Sequence, residues 1–174
     1  SRQMVCRGGN WIHSKNKGEN VIMSYTEVIK FDKKGNPSSA GRVKNASRGS
    51  WIIWSILSQK YLGRDFSYLD PKLEQETWNL IWDDRLTDTE KIVLGSTYDF
   101  VLIKKEDIRK VIDAYEEFAK RDDNLSLNEQ NEILKKLEND KDCIAVGFNQ
   151  NSISCDMWED YNCITGTEHW YLFD

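Results

Sequence analysis

The stretch IVLGSTYDFVLIKKEDIRKVIDAYEEFAKR, residues 92–121, decides how this chain folds. It reads as a strand feeding directly into an amphipathic helix. Tyr98, Phe100 and Leu102 alternate with Asp99, Val101 and Ile103, so both faces suit a strand covered on each side. Ile108, Val111, Ile112, Tyr115 and Phe118 or Ala119 then recur at helical spacing and make one apolar stripe. Glu106 and Asp107 fall in the first turn, and Lys120 and Arg121 in the last. Each pair complements the helix dipole.

Working outward, capping residues mark the other helices. Asp70-Pro71 predicts a helix start, with Asp as cap and Pro at the first helical position, and the helix runs to about Asp83. Thr87 with Glu90, and Ser126 with Glu129, have capping-box spacing. They predict a short helix ending at Gly95 and a longer one ending near Asn139. Residues 50–62 predict a helix that Asn45 or Ser47 could cap and Gly63 ends. It is apolar over most of its circumference and is expected to be the central buried helix.

Strands cluster towards the two ends. Residues 1–36 read as β structure, with Arg7-Gly8-Gly9-Asn10 as a hairpin turn. In residues 21–31, the face carrying Val21, Met23, Tyr25, Glu27, Ile29 and Phe31 is the more apolar and is expected inward. A turn follows at residues 32–37. Residues 36–49 (NPSSAGRVKNASRG), rich in Gly, Ser and cations, read as a flexible loop. Residues 143–148 (CIAVGF) read as a buried strand and residues 170–173 as a closing one. The sum is a single α+β domain over residues 1–174. Its sheet is mostly antiparallel or mixed, built from N- and C-terminal strands, and packs on about four helices.

The net charge of −5 hides a division. Residues 1–64 hold twelve Lys/Arg and three Asp/Glu, whereas residues 65–174 hold twelve and 26. That split predicts two electrostatically distinct surfaces. No apolar run approaches the length that spans a bilayer, and the first residues lack the apolar core of a signal peptide. Cys6, Cys143, Cys155 and Cys163 form no C-x-x-C pair and read as reduced thiols, so the expected location is cytoplasmic.

Standard chemistry is sparse. Both glycine-rich phosphate-binding patterns are missing, which argues against P-loop hydrolysis and dinucleotide redox chemistry. His13 and His169 sit in no standard zinc spacing, and Cys155, Cys163 and His169 match none either. Asp156, Glu159, Asp160 and Glu168 crowd a segment without cations, but a solvated acidic loop explains them more simply than a divalent ion does. No cofactor or metal is expected.

What remains is binding. Arg7, Trp11, Arg42, Lys44 and Arg48 form the expected nucleic-acid-binding set, with Tyr25 or Trp11 able to stack on a base. Asp156, Trp158, Glu159, Asp160, Tyr161 and Trp170 form the expected protein-binding set, because aromatic anchors interleaved with acids suit a basic partner. An enzymatic alternative is a small metal-independent ribonuclease using His13, Arg7 and Lys44. A third reading is an immunity or antitoxin-type protein that masks a basic partner. In composition alone the chain resembles small accessory proteins of phages and mobile elements. That resemblance implies a host-directed, anti-CRISPR-like inhibitor of a nucleoprotein complex.

Overall fold

The computed structural model describes residues 25–99, 101–150 and 170–173. Within them the chain is an α+β domain built on five strands and five α-helices. The strands are β1 (Tyr25–Phe31), β2 (Pro37–Lys44), β3 (Val101–Lys104), β4 (Ala145–Gln150) and β5 (Trp170–Tyr171), in the spatial order β2-β1-β4-β3-β5. The first four are antiparallel to their neighbours, and β5 pairs parallel to β3. The strands expected before residue 25 lie outside the described residues.

The β1–β2 hairpin corrects the expected flexible loop at residues 36–49. Seven residues of β2 pair with β1, and Ala40 bulges out between Ser39, opposite Ile29, and Gly41, opposite Val28. Residues such as Pro37, Ser38 and Ser39 have poor strand propensity, but an edge strand needs only its backbone ladder on one side and tolerates Pro at its first position. The turn forms where expected. The Asp32 carboxylate accepts from the Lys34 and Asn36 amides at 2.8 and 2.9 Å, and Gly35 supplies a φ of 81°.

Both faces of β1 are covered, not one. Thr26 and Val28 are fully buried on the helix side, Val28 among Ile103, Val146 and Phe148. Ile29 and Phe31, expected inward, are buried as well, but with Leu102 and Ala145 in a smaller cluster on the sheet's other side. A strand covered on both faces gives alternation little to report, because polar Thr26 is tolerated against the helices.

The helices are α1 (Ser50–Leu62), α2 (Pro71–Asn79), α3 (Asp88–Gly95), α4 (Ile108–Phe118) and α5 (Asn128–Glu138). Their apolar stripes cover the sheet: Val93 and Leu94 from α3, Ile108, Val111, Ile112 and Phe118 from α4, and Leu134 and Leu137 from α5 share one core with Val101 and Ile103 of β3. Asp70 caps α2 by accepting the Leu73 amide at 3.0 Å. The Thr87–Glu90 capping box on α3 is complete. The Ser126–Glu129 box is not: α5 starts a residue later, with Leu127 at its cap, and Glu129 reaches the Lys44 amide of β2 instead.

Two further corrections set up the site. Among the described residues the strand in the opening stretch covers only Val101–Lys104, and residues 96–99 form turns rather than β structure. Helix α1 has the expected bounds but is not wholly buried. Only Ile53, Leu57 and Ser58 are deeply covered, and Trp51 keeps 50% of its surface exposed. Its start is set by Gly49 at φ 74°, not by Asn45 or Ser47, and a Cβ there would lie 2.5 Å from Leu125 Cδ1.

Candidate docking site

Helix α1 carries more apolar circumference than its neighbours α2 and α3 can cover. The excess is aromatic. Trp51 packs against Tyr68 and Phe66 at ring-centroid distances of 5.0 and 5.4 Å, and Phe66 meets Tyr68 edge-on at 4.7 Å. Trp54 continues inward, 5.2 Å from Phe66 and stacked on Trp78 at 6.1 Å, and Trp78 meets Tyr98 at 5.3 Å. One run of rings therefore links an exposed indole to the turn before β3.

That turn is held from three sides. Trp54 Nε1 donates to Thr97 Oγ1 at 2.9 Å, and Tyr115 donates to Ser96 Oγ at 2.7 Å. The Arg48 guanidinium donates to the Ser96 and Thr97 carbonyls at 3.2 and 3.1 Å and pairs with Asp99. Its Cζ lies 5.0 Å from the Phe148 ring centroid. The inner end of the aromatic run is therefore rigid, which fixes the outer end without cost to a partner.

At the outer end, Leu69 follows Tyr68 and is 90% exposed. It precedes the α2 cap, where an apolar residue normally packs on the fourth helical position. Here that position is Glu74, so Leu69 has no apolar staple partner. Asp65 and Asp70, on either side of it in sequence, are exposed. Burial pushes the Glu74 carboxyl above its ordinary range, and burial together with the Glu74 charge pushes the Tyr68 phenol up to about 12. Arg64 is engaged by Glu76. Residues 64–76 around this apolar patch thus hold four acids against two cations, Arg64 and the exposed Lys72, both paired with Glu76.

The residues proposed from sequence fall into three groups. Arg7, Trp11, His13, Asp156, Trp158, Glu159, Asp160 and Tyr161 lie outside the described residues, and of Trp170 only the backbone, paired with Val101, is described. Arg42 and Lys44 come together, both exposed on β2 beside β1. Arg48 does not join them. It is 5% exposed, and its Nη1 and Nη2 are engaged by Asp99 and the turn carbonyls, so it is a structural staple and not a phosphate contact.

The charge division is crossed by ion pairs. Lys30 Nζ lies 2.5 Å from Asp140 and 3.7 Å from Asp142, Lys60 lies 3.0 Å from Glu90, and Arg48 and Arg64 meet Asp99 and Glu76. All four cations come from the basic half and all their partners from the acidic half. Glu90 is fully buried. Burial alone would raise its pKa, but the Tyr61 hydroxyl, the Thr87 amide, Lys60 and Arg121 together hold it at about 2.

Trp51, Tyr68 and Leu69 were missed as site residues because large apolar side chains in or near a helix read as core. The available signals were the surplus apolar circumference of α1 and the unmatched position after Leu69. Among the described residues no group of His, Cys, Asp and Glu is placed to hold a metal ion, and no helix is long and apolar enough to cross a membrane. The chain matches no family model, no curated protein sequence and no solved structure.

Proposed function

We propose that the protein acts by binding a macromolecular partner, and that the Trp51–Tyr68–Leu69 patch docks a basic protein. The observation that carries this reading is the half-exposed Trp51 indole, braced by Phe66 and Tyr68 and continued by the 90% exposed Leu69. A rigid aromatic beside an exposed aliphatic side chain is the usual composition of an interface centre. The acidic rim of Asp65, Asp70 and Glu74 disfavours a phosphate backbone and favours a protein whose apolar anchor is flanked by Lys or Arg. This keeps the expected kind of partner, a basic protein, and adds a docking surface to the one expected near the C-terminus. Interference with a nucleoprotein complex of a host is the setting that fits such a partner.

The test is quantitative binding to a purified partner recovered by photo-crosslinking from position 69. Trp51→Ala and Leu69→Ser should each weaken that complex at least about tenfold, the loss of one hot-spot side chain. Raising the salt concentration should weaken it further through the rim. Unchanged affinity in both variants would sink the proposal. So would crosslinks joining only copies of this chain, which would make the patch a self-association surface.

A further inference from the structure

We infer that the β1–β2 hairpin is a contact site for single-stranded nucleic acid, built on Tyr25, Arg42 and Lys44 and extended by Lys33 and Lys34. Five of the eight described cations in the basic half have carboxylate partners. The three without one among the described residues, Lys33, Lys34 and Lys44, all lie on this hairpin and are all exposed. Among the described residues of that half, the remaining positive charge is thus concentrated on one supersecondary unit. It runs from the turn to the far end of the strands over roughly 20 Å, about six residues of strand rise.

The hairpin's own two acids, Glu27 and Asp32, offset only part of this charge. Asp32 is directed at the Asn36 and Lys34 amides, which together with the Lys34 charge lower its pKa and keep it engaged in the turn. Glu27 accepts from Arg42 Nε at 3.0 Å, and Nη1 and Nη2 make no hydrogen bond or ion pair among the described residues. Arg42 remains 61% exposed.

Tyr25 decides between a bare polyanion site and one for bases. It sits directly opposite Lys44, and the Arg42 guanidinium lies 4.3 Å from its ring centroid. Tyr25, Glu27, Arg42 and Lys44 therefore share the sheet face away from the helices. A planar cation layered on a tyrosine offers a base a stacking surface of the right thickness, with Lys44 beside it for the adjoining phosphate. Unstacked bases are accessible only in single strands, so the arrangement selects them over a duplex. The site shares no residue with the acidic-rimmed patch, and it does not depend on that reading.

Fluorescence anisotropy tests this with a labelled oligouridylate of about 12 nucleotides, a duplex of equal length and heparin as the base-free polyanion. The expected result is salt-dependent binding of the single strand, weakened at least about tenfold by Arg42→Glu with Lys44→Glu. The same double variant should lower the salt slope by about 0.7 for each phosphate it no longer neutralises. Tyr25→Leu should weaken the single strand and leave heparin unchanged, while Tyr25→Phe restores binding and Trp51→Ala has no effect. Thermal melts of each variant establish that it is folded; should Tyr25→Leu unfold, Arg42→Lys takes its place, keeping charge and losing the planar stack. The inference is overturned by no binding at low salt, by an unchanged double variant, or by heparin and duplex binding as well as the single strand does.

Discussion

Arg48 and Asp99 form a buried ion pair across 51 residues of sequence, joining the turn before α1 to the turn before β3. Their side chains are 6% and 12% exposed. Removing Arg48 leaves the largely buried Asp99 carboxylate without its counter-ion, so Arg48→Met should destabilise the fold by about 3 kcal/mol. Lys44→Ala, on the same basic half but solvated, should stay within about 0.5 kcal/mol. Urea unfolding measures both. Equal effects would show that Arg48 is not the staple its hydrogen bonds describe.

Gly49 is the second fixed point of that junction. Its φ of 74° disfavours any side chain, and a Cβ would also come within 2.5 Å of Leu125 Cδ1 and 3.0 Å of Leu127 Cδ2. Gly49→Ala should therefore cost about 1–3 kcal/mol, the range for a strained backbone position. Gly63→Ala, also at positive φ but with open space around it, should cost less. A denaturant midpoint that orders these two variants the other way would remove the steric argument.

Most of the framework was legible where one physical signal acted alone. The stripe from Ile108 to Phe118, the Asp70 cap and the Thr87–Glu90 box each depend on residues within one or two turns, and each is found. Errors arose where distant partners decide the outcome. Ser126 resembles a cap, but the start of α5 is shifted and Glu129 is drawn to β2. Residues 37–44 lack strand formers, yet the β1 ladder holds them. Arg48 belonged by composition with Arg42 and Lys44, and only the Asp99 carboxylate, far along the chain, separates it from them. The exposed patch was hidden for a related reason: hydrophobicity says that Trp51 and Leu69 prefer burial, not whether enough neighbours exist to bury them.

Glu90 makes stability depend on pH. Its carboxyl is held at about 2, below the ordinary value of 4.5, so the unfolded chain takes up the proton first as pH falls. The stabilisation is complete above about pH 4.5 and is lost as pH falls towards 2. Glu90→Gln should be less stable at pH 7, because Lys60 and Arg121 lose their shared carboxylate, by about 1–3 kcal/mol. Its stability should then decline less steeply than that of the parent between pH 4.5 and 2.5. Parallel stability curves for the two proteins over that interval would exclude Glu90 as the titrating group.

The docking patch carries a last expectation, about stability rather than affinity. A residue retained for the core is costly to truncate, whereas one retained for a partner is not. Leu69 is 90% exposed, so Leu69→Ser should change the free energy of unfolding by no more than about 0.5 kcal/mol. Trp51 occupies an intermediate position, because truncation removes its packing on Phe66 and Tyr68 while half its surface was already in water. Trp51→Ala should cost about 1–2 kcal/mol, below the 3–5 kcal/mol typical of a fully buried aromatic such as Phe118. Chemical unfolding of the three variants Leu69→Ser, Trp51→Ala and Phe118→Ala should therefore give rising costs in that order. If Trp51→Ala matched Phe118→Ala, the indole would be a core residue with an exposed edge, and the structural reason to place a partner on it would be gone.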